Sequence, residues 1–295
     1  MQLIRACLIL LALLGQPWTK HATREHERID MATPIWISSD GDWGNTASWS
    51  TASVPVANDT VVFDGVNSVV SVTGGLNQTG INLDELQISP AYTGDIGLLG
   101  NPLIIDCAKL VHRGAGTLYH KADGGINRIL VDSRNLVNAA QFSGSASSWR
   151  TAVKKGRVTC TNGLSDMAVL SVVGDKSIVI VEANGAESIG AVYQSGGFIQ
   201  NFRPIDTSVR KAVISGGTFV HESGAIYTLV VNGGFVEYNA GETLTEGFLL
   251  AGTLDYTRSG NTKAALLMEV FPGAELLTTT QTTISVLLDY RKEIP

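Results

Sequence analysis

The sequence predicts an all-β fold, a parallel β-solenoid whose strands stack as rungs of about 17–25 residues. Two glycine markers that recur in phase carry this prediction. The first marker lies at Gly197, Gly217, Gly234 and Gly252, at intervals of 20, 17 and 18 residues. The second marker lies at Gly224, Gly241 and Gly260. Because the two markers keep phase over three successive units, they indicate similar units that bury their apolar faces by stacking.

The residues after each first marker predict strands rather than helices. The position two residues on is always apolar, and its occupants are Ile199, Phe219, Val236 and Leu254. The positions on either side of it are mixed and partly charged, so the alternation has a period of two, which is typical of a strand with one buried face. Helical repeats would need apolar residues at spacings of three and four, which these short runs lack. We therefore expect strands stacked about 4.8 Å apart, with these four side chains in one buried column.

Weaker glycine signals extend the prediction toward the N-terminus, at Gly75, Gly100, Gly116, Gly156 and Gly174. The longer intervals between residues 75 and 100 and between 174 and 197 predict protruding loops. No low-complexity linker interrupts the chain, so we expect one body. Its predicted parts are an N-terminal cap at 31–65, a solenoid at 66–275 and a C-terminal cap or oligomerisation strand at 276–295.

The composition agrees with an extracellular or virion β-protein. Charged residues make up 16% of the chain and there are 32 glycines, so Ser, Thr, Asn and Gly must cover much of the surface. The net charge of −6 disfavours a nucleic-acid partner, which would need a basic stripe. The densest basic cluster, Arg150 to Arg157 with Lys154 and Lys155, is expected between strands as a solvated loop.

The cysteines predict neither a metal site nor a cofactor. The sequence contains no Cys-x-x-Cys, and no cysteine neighbours a histidine at zinc-ligand spacing. Cys107 and Cys160 could form a disulfide only if they lay on adjacent rungs with their Cα atoms within about 7 Å. We expect buried free thiols instead.

Residues 1–30 are expected to lie outside the fold. Arg5 is followed by a short apolar run, which resembles the start of a signal peptide and is too short to span a membrane. The cleavage context is poor, and Met31 followed by Ala32-Thr33-Pro34 has the character of a natural start. The segment is therefore either a cleaved export signal, which would make the protein secreted, or an extension upstream of the true start.

A tryptophan-bearing segment follows, which includes Trp36, Asp40 to Asn45, Trp49-Ser50, Val54-Pro55 and Asn58 to Phe63. It resembles the opening segment of bacterial and phage β-solenoid surface proteins, including autotransporter-like passengers. These proteins begin with a W-N-x-x-x-N-W-S … V-P … D-x-V-x-F stretch. This chain departs from that pattern at residues 44–48, where the family tends to have asparagines. The resemblance implies a pectin-lyase-like or related parallel β-helix on a cell or virion surface, and it implies no particular activity.

The three tryptophans of this segment, Trp36, Trp43 and Trp49, have two interpretations. An indole can stack on a sugar face, which would make them ligand-binding residues. They can also form an apolar cap that closes the first rung, because the open end of a solenoid would otherwise expose strand edges and core. The cap is the interpretation that we expect.

The polar residues Asp40, Asp42 and Asn45 lie between the tryptophans and could offer oxygen ligands to calcium. The segment lacks the ligand spacing and the closing glutamate of a known calcium loop, so we expect a solvated turn.

Glu237 and Asp255 are the candidate catalytic residues, because the repeat places them in one outward column on successive rungs. Two carboxylates at this spacing would suit a retaining glycosidase or a divalent-cation site, and their crowding should raise one pKa. The same column continues through Gln200 and Val220, which add no chemistry. A solvated carboxylate pair is the interpretation that we expect.

Other candidate residues are scattered. The histidines His112, His120 and His221 fall in separate rungs, and the sequence contains neither a nucleophile elbow nor a phosphate loop. A charged insert with Arg203, Asp206 and Arg210 is the expected protruding loop and a candidate ligand-binding site.

Two function classes follow. The first is a non-enzymatic structural or adhesive protein of a phage virion or bacterial surface. The alternative is a polysaccharide-degrading β-helix enzyme, a lyase or hydrolase of the tailspike type, which would need several acids and bases on one face. Expected partners are a surface polysaccharide, other virion proteins and further copies of the chain. We expect a homo-oligomer, a trimer, because the apolar, threonine-rich stretch 276–288 offers a strand for association.

Overall fold

A computed structural model describes residues 32–124, 128–144, 149–161, 167–182, 189–202 and 208–292. Residues 1–30, the predicted export signal or extension, lie outside these ranges. The strands of the described part are β1 Thr60–Phe63, β2 Asn77–Ile88, β3 Leu103–His112, β4 Leu118–Ala122, β5 Arg128–Asp132, β6 Ala140–Gly144, β7 Trp149–Cys160, β8 Met167–Val172, β9 Ser177–Val181, β10 Ile189–Asn201, β11 Val209–His221, β12 Ile226–Tyr238, β13 Leu244–Asp255, β14 Lys263–Val270, β15 Ala274–Leu277 and β16 Thr282–Asp289. Two short 3-10 turns, Thr46–Ser48 and Tyr290–Lys292, accompany them.

Every pairing between these strands is parallel, and the strands stack in chain order. The stack has two faces. The first face runs through β1, β2, β3, β5, β7, β8, β10, β11, β12, β13, β14 and β16, and the second runs through β2, β3, β4, β6, β7, β9, β10, β11, β12, β13 and β15. The long strands β2, β3, β7 and β10 to β13 belong to both faces because each passes from one face to the other along its length. The prediction of a parallel β-solenoid is confirmed, with about nine turns.

The first glycine marker lies at the bend between the two faces. Gly217 has φ +78°, and a Cβ there would lie 2.4 Å from the carbonyl oxygen of Gly197 on the preceding rung. Gly234 repeats this arrangement against the oxygen of Gly217 at 2.6 Å. Only glycine combines a positive φ with so close a backbone approach, which explains the rhythm of the marker. The second marker has a different cause, since Gly241 and Gly260 lie in turns with open space around them.

The predicted core column is confirmed. Ile199, Phe219, Val236 and Leu254 pair in register on β10 to β13, and each is at most 1% exposed. Inward residues of the first face form a parallel column that includes Leu86, Leu110, Ile129, Leu170 and Val192. These columns merge into one continuous core cluster.

The tryptophan segment closes the N-terminal end of the described stack. The rings of Trp36 and Trp43 lie 5.0 and 4.8 Å from that of Trp49, and all three indoles pack toward Phe63 of β1. The Trp49 Nε1 donates to the Trp43 carbonyl at 2.8 Å. Edge-to-face packing of this kind adds to the burial of large apolar surfaces. The predicted tryptophan-rich N-terminal cap is therefore present.

Candidate functional site

A groove of about 410 Å³ crosses the outer side of the first face. Exposed basic side chains line it, namely Lys109, Arg128, Arg150 and Lys154. Outward residues between them form a mainly apolar floor, which consists of Leu130, Ala152, Val169 and Ser171. These eight residues are called the cationic groove below.

The register of the strands places three of the cations in one column. Lys109 of β3 pairs directly with Arg128 of β5. Ile129 of β5 pairs with Thr151 of β7. Because these two residues directly follow Arg128 and Arg150, Arg150 lies beside Arg128 on the next rung. Successive Cα atoms in such a column lie about 4.8 Å apart. Two like charges at that separation repel by about 0.9 kcal/mol in water, so the column does not stabilise the fold by itself.

One of these cations has an anionic partner within the described residues. Lys109 Nζ lies 2.8 Å from Glu85 Oε1 on the preceding rung. In the described part of the chain, Arg128, Arg150 and Lys154 form no ion pair. Their charges are therefore available to an external anion.

A second cavity, of about 240 Å³, continues the cationic groove toward β2. It shares Lys109 and Leu130 with the first cavity and adds Gln87, Arg113 and Glu85, the partner of Lys109. The two cavities together extend along the solenoid axis from β2 to β8, across five strands of the first face. Because five strands are separated by four rung spacings, the two cavities together are about 19 Å long.

The interpretation of the basic cluster as a loop between strands is wrong. Arg150, Lys154, Lys155 and Arg157 all lie within β7. The strand bends at Gly156, whose φ is +107°, and continues onto the second face. Hydrophilic residues near the bend gave the sequence the appearance of a loop, although the backbone remains paired on both sides.

Glu237 and Asp255 are paired in register on β12 and β13, and Val220 and Gln200 continue their column as expected. Asp255 is nonetheless only 2% exposed, so it is not part of a solvated pair. Glu237 Oε1 accepts a bond from Asn239 Nδ2 at 2.7 Å.

Both carboxylate oxygens of Asp255 accept hydrogen bonds from the residues that follow it in the chain. Oδ1 accepts bonds from the backbone N–H and the hydroxyl of Thr257, at 2.7 and 2.6 Å, and Oδ2 lies 3.1 Å from Nε of Arg258. Burial raises the pKa of Asp255, but these bonds outweigh burial, and the pKa lies below its ordinary value. The expected increase from crowding is therefore wrong for Asp255, which remains a carboxylate.

Lys263, at the start of β14, is a charged residue that the sequence did not single out. It is 1% exposed, and its Nζ donates to the backbone carbonyl of Tyr256. Burial lowers the pKa of Lys263, while Asp255 and Glu237 raise it in part. The two carboxylates thus help to retain a buried ammonium group, which is a structural role.

The three tryptophans of the cap are at most 1% exposed. No indole face is open to solvent, so a sugar could stack on Trp36, Trp43 or Trp49 only if the cap opened.

The turn after Trp36 is held by its own polar groups. Asp40 accepts bonds from Ser38 Oγ at 2.7 Å and Asn45 Nδ2 at 2.6 Å, and hydrogen bonds, that from Ser38 foremost, lower its pKa. Asp42 Oδ1 accepts from the backbone N–H of Gly44. Within the described ranges, no group of three or more His, Cys, Asp or Glu is arranged to hold a metal ion.

The histidines are core residues. His112 and His120 donate through Nε2 to the carbonyl oxygens of Ala139 and Ile105, and His221 donates through Nε2 to that of Gly224. Cys107 and Cys160 are both buried thiols that form no disulfide, as expected, and burial raises the pKa of the Cys107 thiol.

The charged insert is described only in part. Arg203 and Asp206 lie outside the described residues, whereas Arg210 is exposed within β11. The structure therefore does not bring these three candidates together as a described site.

Comparisons of the chain with protein-family models, curated proteins and solved structures give no match. In the part of the chain that the structure describes, no helix has the length and apolar character needed to cross a membrane.

Proposed function

We propose that this protein is a non-enzymatic structural or adhesive β-solenoid, carried on a phage virion or a bacterial surface, that presents the first face to a ligand. The observation that carries the proposal is the contrast between two sets of charged groups. Asp255 is buried and both carboxylates of the acidic pair are bonded within the fold, whereas three cations of the cationic groove face outward without a described counter-ion. A scaffold that binds an anionic ligand needs exposed positive side chains. A hydrolase needs acidic side chains that can reach the substrate and are not already bonded within the fold.

The surface location rests on the composition and on the tryptophan segment. The low charged fraction of 16% and the 32 glycines are typical of β-proteins that work outside cells or on particles. The segment from Trp36 to Phe63 resembles the opening of such proteins, and its residues build the cap.

The enzymatic alternative has one observation in its favour, which is the register of Glu237 and Asp255. A retaining glycosidase needs two carboxyl groups about 5–5.5 Å apart, one of them protonated, on either side of the substrate bond. Asp255 is buried and its acceptor sites are filled, so it lacks both the access and the raised pKa that such an acid requires.

The test compares retention with cleavage. The full chain is run through gels containing polysaccharides from bacterial surfaces, and the same polysaccharides are assayed for new reducing ends and for unsaturated products. We expect retarded migration without new ends, and no change in either readout for Glu237→Gln. Product formation that disappears in Glu237→Gln, in a variant that melts like the parent, would replace this proposal with the enzymatic alternative.

Self-association belongs to the same proposal. Three consecutive residues of β16, Val286, Leu287 and Leu288, are 39–48% exposed. Met268, which pairs with Leu287 on the preceding rung, is by contrast fully buried. Exposed apolar strand surface favours association with another chain. Light scattering of the full chain should give a mass above that of one copy, and Leu287→Lys should reduce it. A monomer at tens of micromolar would contradict this part.

A further inference from the structure

The cationic groove has the form of a site for a linear polymer rather than for a small anion. Its basic residues lie on consecutive rungs, so positive charge repeats at intervals of about 4.8 Å along the solenoid axis. A single small anion would contact one or two of these groups and leave the others unpaired. A chain that carries an anionic group on successive monomers would contact each of them in turn.

The floor of the groove strengthens such contacts. Leu130, Ala152 and Val169 lie between the cations, so the charges stand beside apolar surface rather than in open water. Electrostatic attraction is stronger where apolar walls lower the local dielectric constant. The floor also offers the C–H surface of a sugar ring a place to pack.

The chemistry of the cations indicates the anionic group. Two of the three column residues, Arg128 and Arg150, carry guanidinium groups, which bind carboxylate and sulfate oxygens through paired N–H bonds. Nucleic acids are disfavoured because single strands bind largely by stacking bases on aromatic side chains. Among the residues that the structure describes, those that line the groove include no aromatic side chain.

From these observations we infer that the cationic groove binds an acidic polysaccharide, one with carboxylate or sulfate groups on successive sugars, without cleaving it. The inference rests on the proposed binding function and adds the ligand class. Arg128 and Arg150 bind anionic groups on successive sugars, and Lys154 contacts the chain from the rim. Lys109, which is paired with Glu85, and Arg113 extend the basic surface toward β2. Binding weakens as salt rises because the groups are exposed.

The experiment measures binding of the full chain to four probes at low and high salt: alginate for carboxylate, dextran sulfate for sulfate, dextran as the neutral polymer and a thymidine oligonucleotide. The test variant is Arg128→Gln/Arg150→Gln. The matched control is Arg134→Gln/Lys176→Gln, which also removes two positive charges, at exposed turn positions that are not among the residues lining the groove. Circular dichroism and melting confirm that both variants fold.

We expect the parent and the control to bind alginate or dextran sulfate with equal affinity, and the test variant to bind at least tenfold more weakly. Arg128→Lys/Arg150→Lys should recover part of the loss, since it restores charge without the paired geometry. Preference between alginate and dextran sulfate identifies the anionic group.

Several outcomes would overturn the inference. These are equal losses in the test and control variants, tighter binding of the oligonucleotide than of either polyanion, and no binding of either polyanion at millimolar sugar concentrations. Binding of neutral dextran alone would refute the groove inference and leave the binding scaffold intact. Cleavage of a polyanion would refute the non-enzymatic proposal, while the variants would still report whether the groove binds it.

Discussion

A decrease in pH from 7.5 to 5 should destabilise the solenoid through three buried imidazoles. His112, His120 and His221 are at most 1% exposed. Burial lowers the pKa of each from 6.5 to about 4, although hydrogen bonds to backbone carbonyls oppose the shift. The unfolded chain, with ordinary imidazoles, therefore takes up protons that the folded chain does not bind.

The sign and size of the effect follow from these pKa values. Because the folded pKa lies below the unfolded pKa, the stability contributed by neutral histidine is complete above about pH 6.5 and is lost as the pH falls toward 4. At pH 5 the loss is about 2 kcal/mol for each histidine, and about 6 kcal/mol for three that unfold together. Domains are commonly stable by about 5–15 kcal/mol, so this loss should be large. Carboxylates contribute little at pH 5, since the lowered pKa values of Asp64 and Asp255 matter only below about pH 4.

The assay is urea unfolding at pH 7.5 and pH 5.0, followed by circular dichroism, on the parent and on His120→Gln. Glutamine keeps a donor for the Ile105 carbonyl but cannot become charged. We expect His120→Gln to lose stability at pH 7.5 and to show a pH dependence smaller by about 2 kcal/mol than that of the parent. Ring nitrogen chemical shifts of the folded chain at pH 5 provide a direct check. Imidazolium signals for these residues, or a parent that loses less than about 1 kcal/mol between the two pH values, would refute the reasoning.

Three further predictions concern packing. Phe219→Asp should cost several kcal/mol because it places an unpaired charge at a fully buried position, and a melting temperature within a degree or two of the parent would contradict the assigned register. Gly217→Ala should destabilise by about 1–3 kcal/mol in urea unfolding, whereas Gly241→Ala, in open space, should stay within about 0.5 kcal/mol; equal effects would count against the bend as the cause. Trp49→Ala should cost about 3–5 kcal/mol by removing the central indole of the cap, and an unchanged unfolding curve would show that the cap does not support the stack.

The fold was predictable because one constraint acts on every regular rung. Gly217 and Gly234 must be glycine where rung backbones meet at the bend, and Phe219 and Val236 must be apolar two residues later. A constraint that repeats leaves a period in the sequence. The cap was predictable for a related reason, since large aromatic side chains close together in the chain need a common place to be buried.

The chemistry of the site was harder to predict because it depends on which donors bond to each carboxylate oxygen. Asp255 appeared available beside Glu237, and the register between them was correct. Its hydrogen-bond partners Thr257 and Arg258 follow within three residues. A turn in which nearby donors bond to the Asp255 carboxylate was therefore a signal that the sequence contained. The burial of Lys263 depends on packing between rungs and leaves no such local signal.

The cationic groove lies on the less regular rungs of the solenoid. In the regular rungs the groove's column continues as Ala191, Lys211, Thr228 and Glu246, so no run of positive charge persists there. The run of cations lies at Lys109, Arg128 and Arg150, whose spacings of 19 and 22 residues reflect connections of unequal length. Because register between parallel rungs is set by pairing and not by the length of the connection, unequal spacings can still give an aligned column. The search for ligand sites in such chains should therefore compare positions that pair between successive strands, here a cation followed by a buried residue, even where the glycine rhythm is weak.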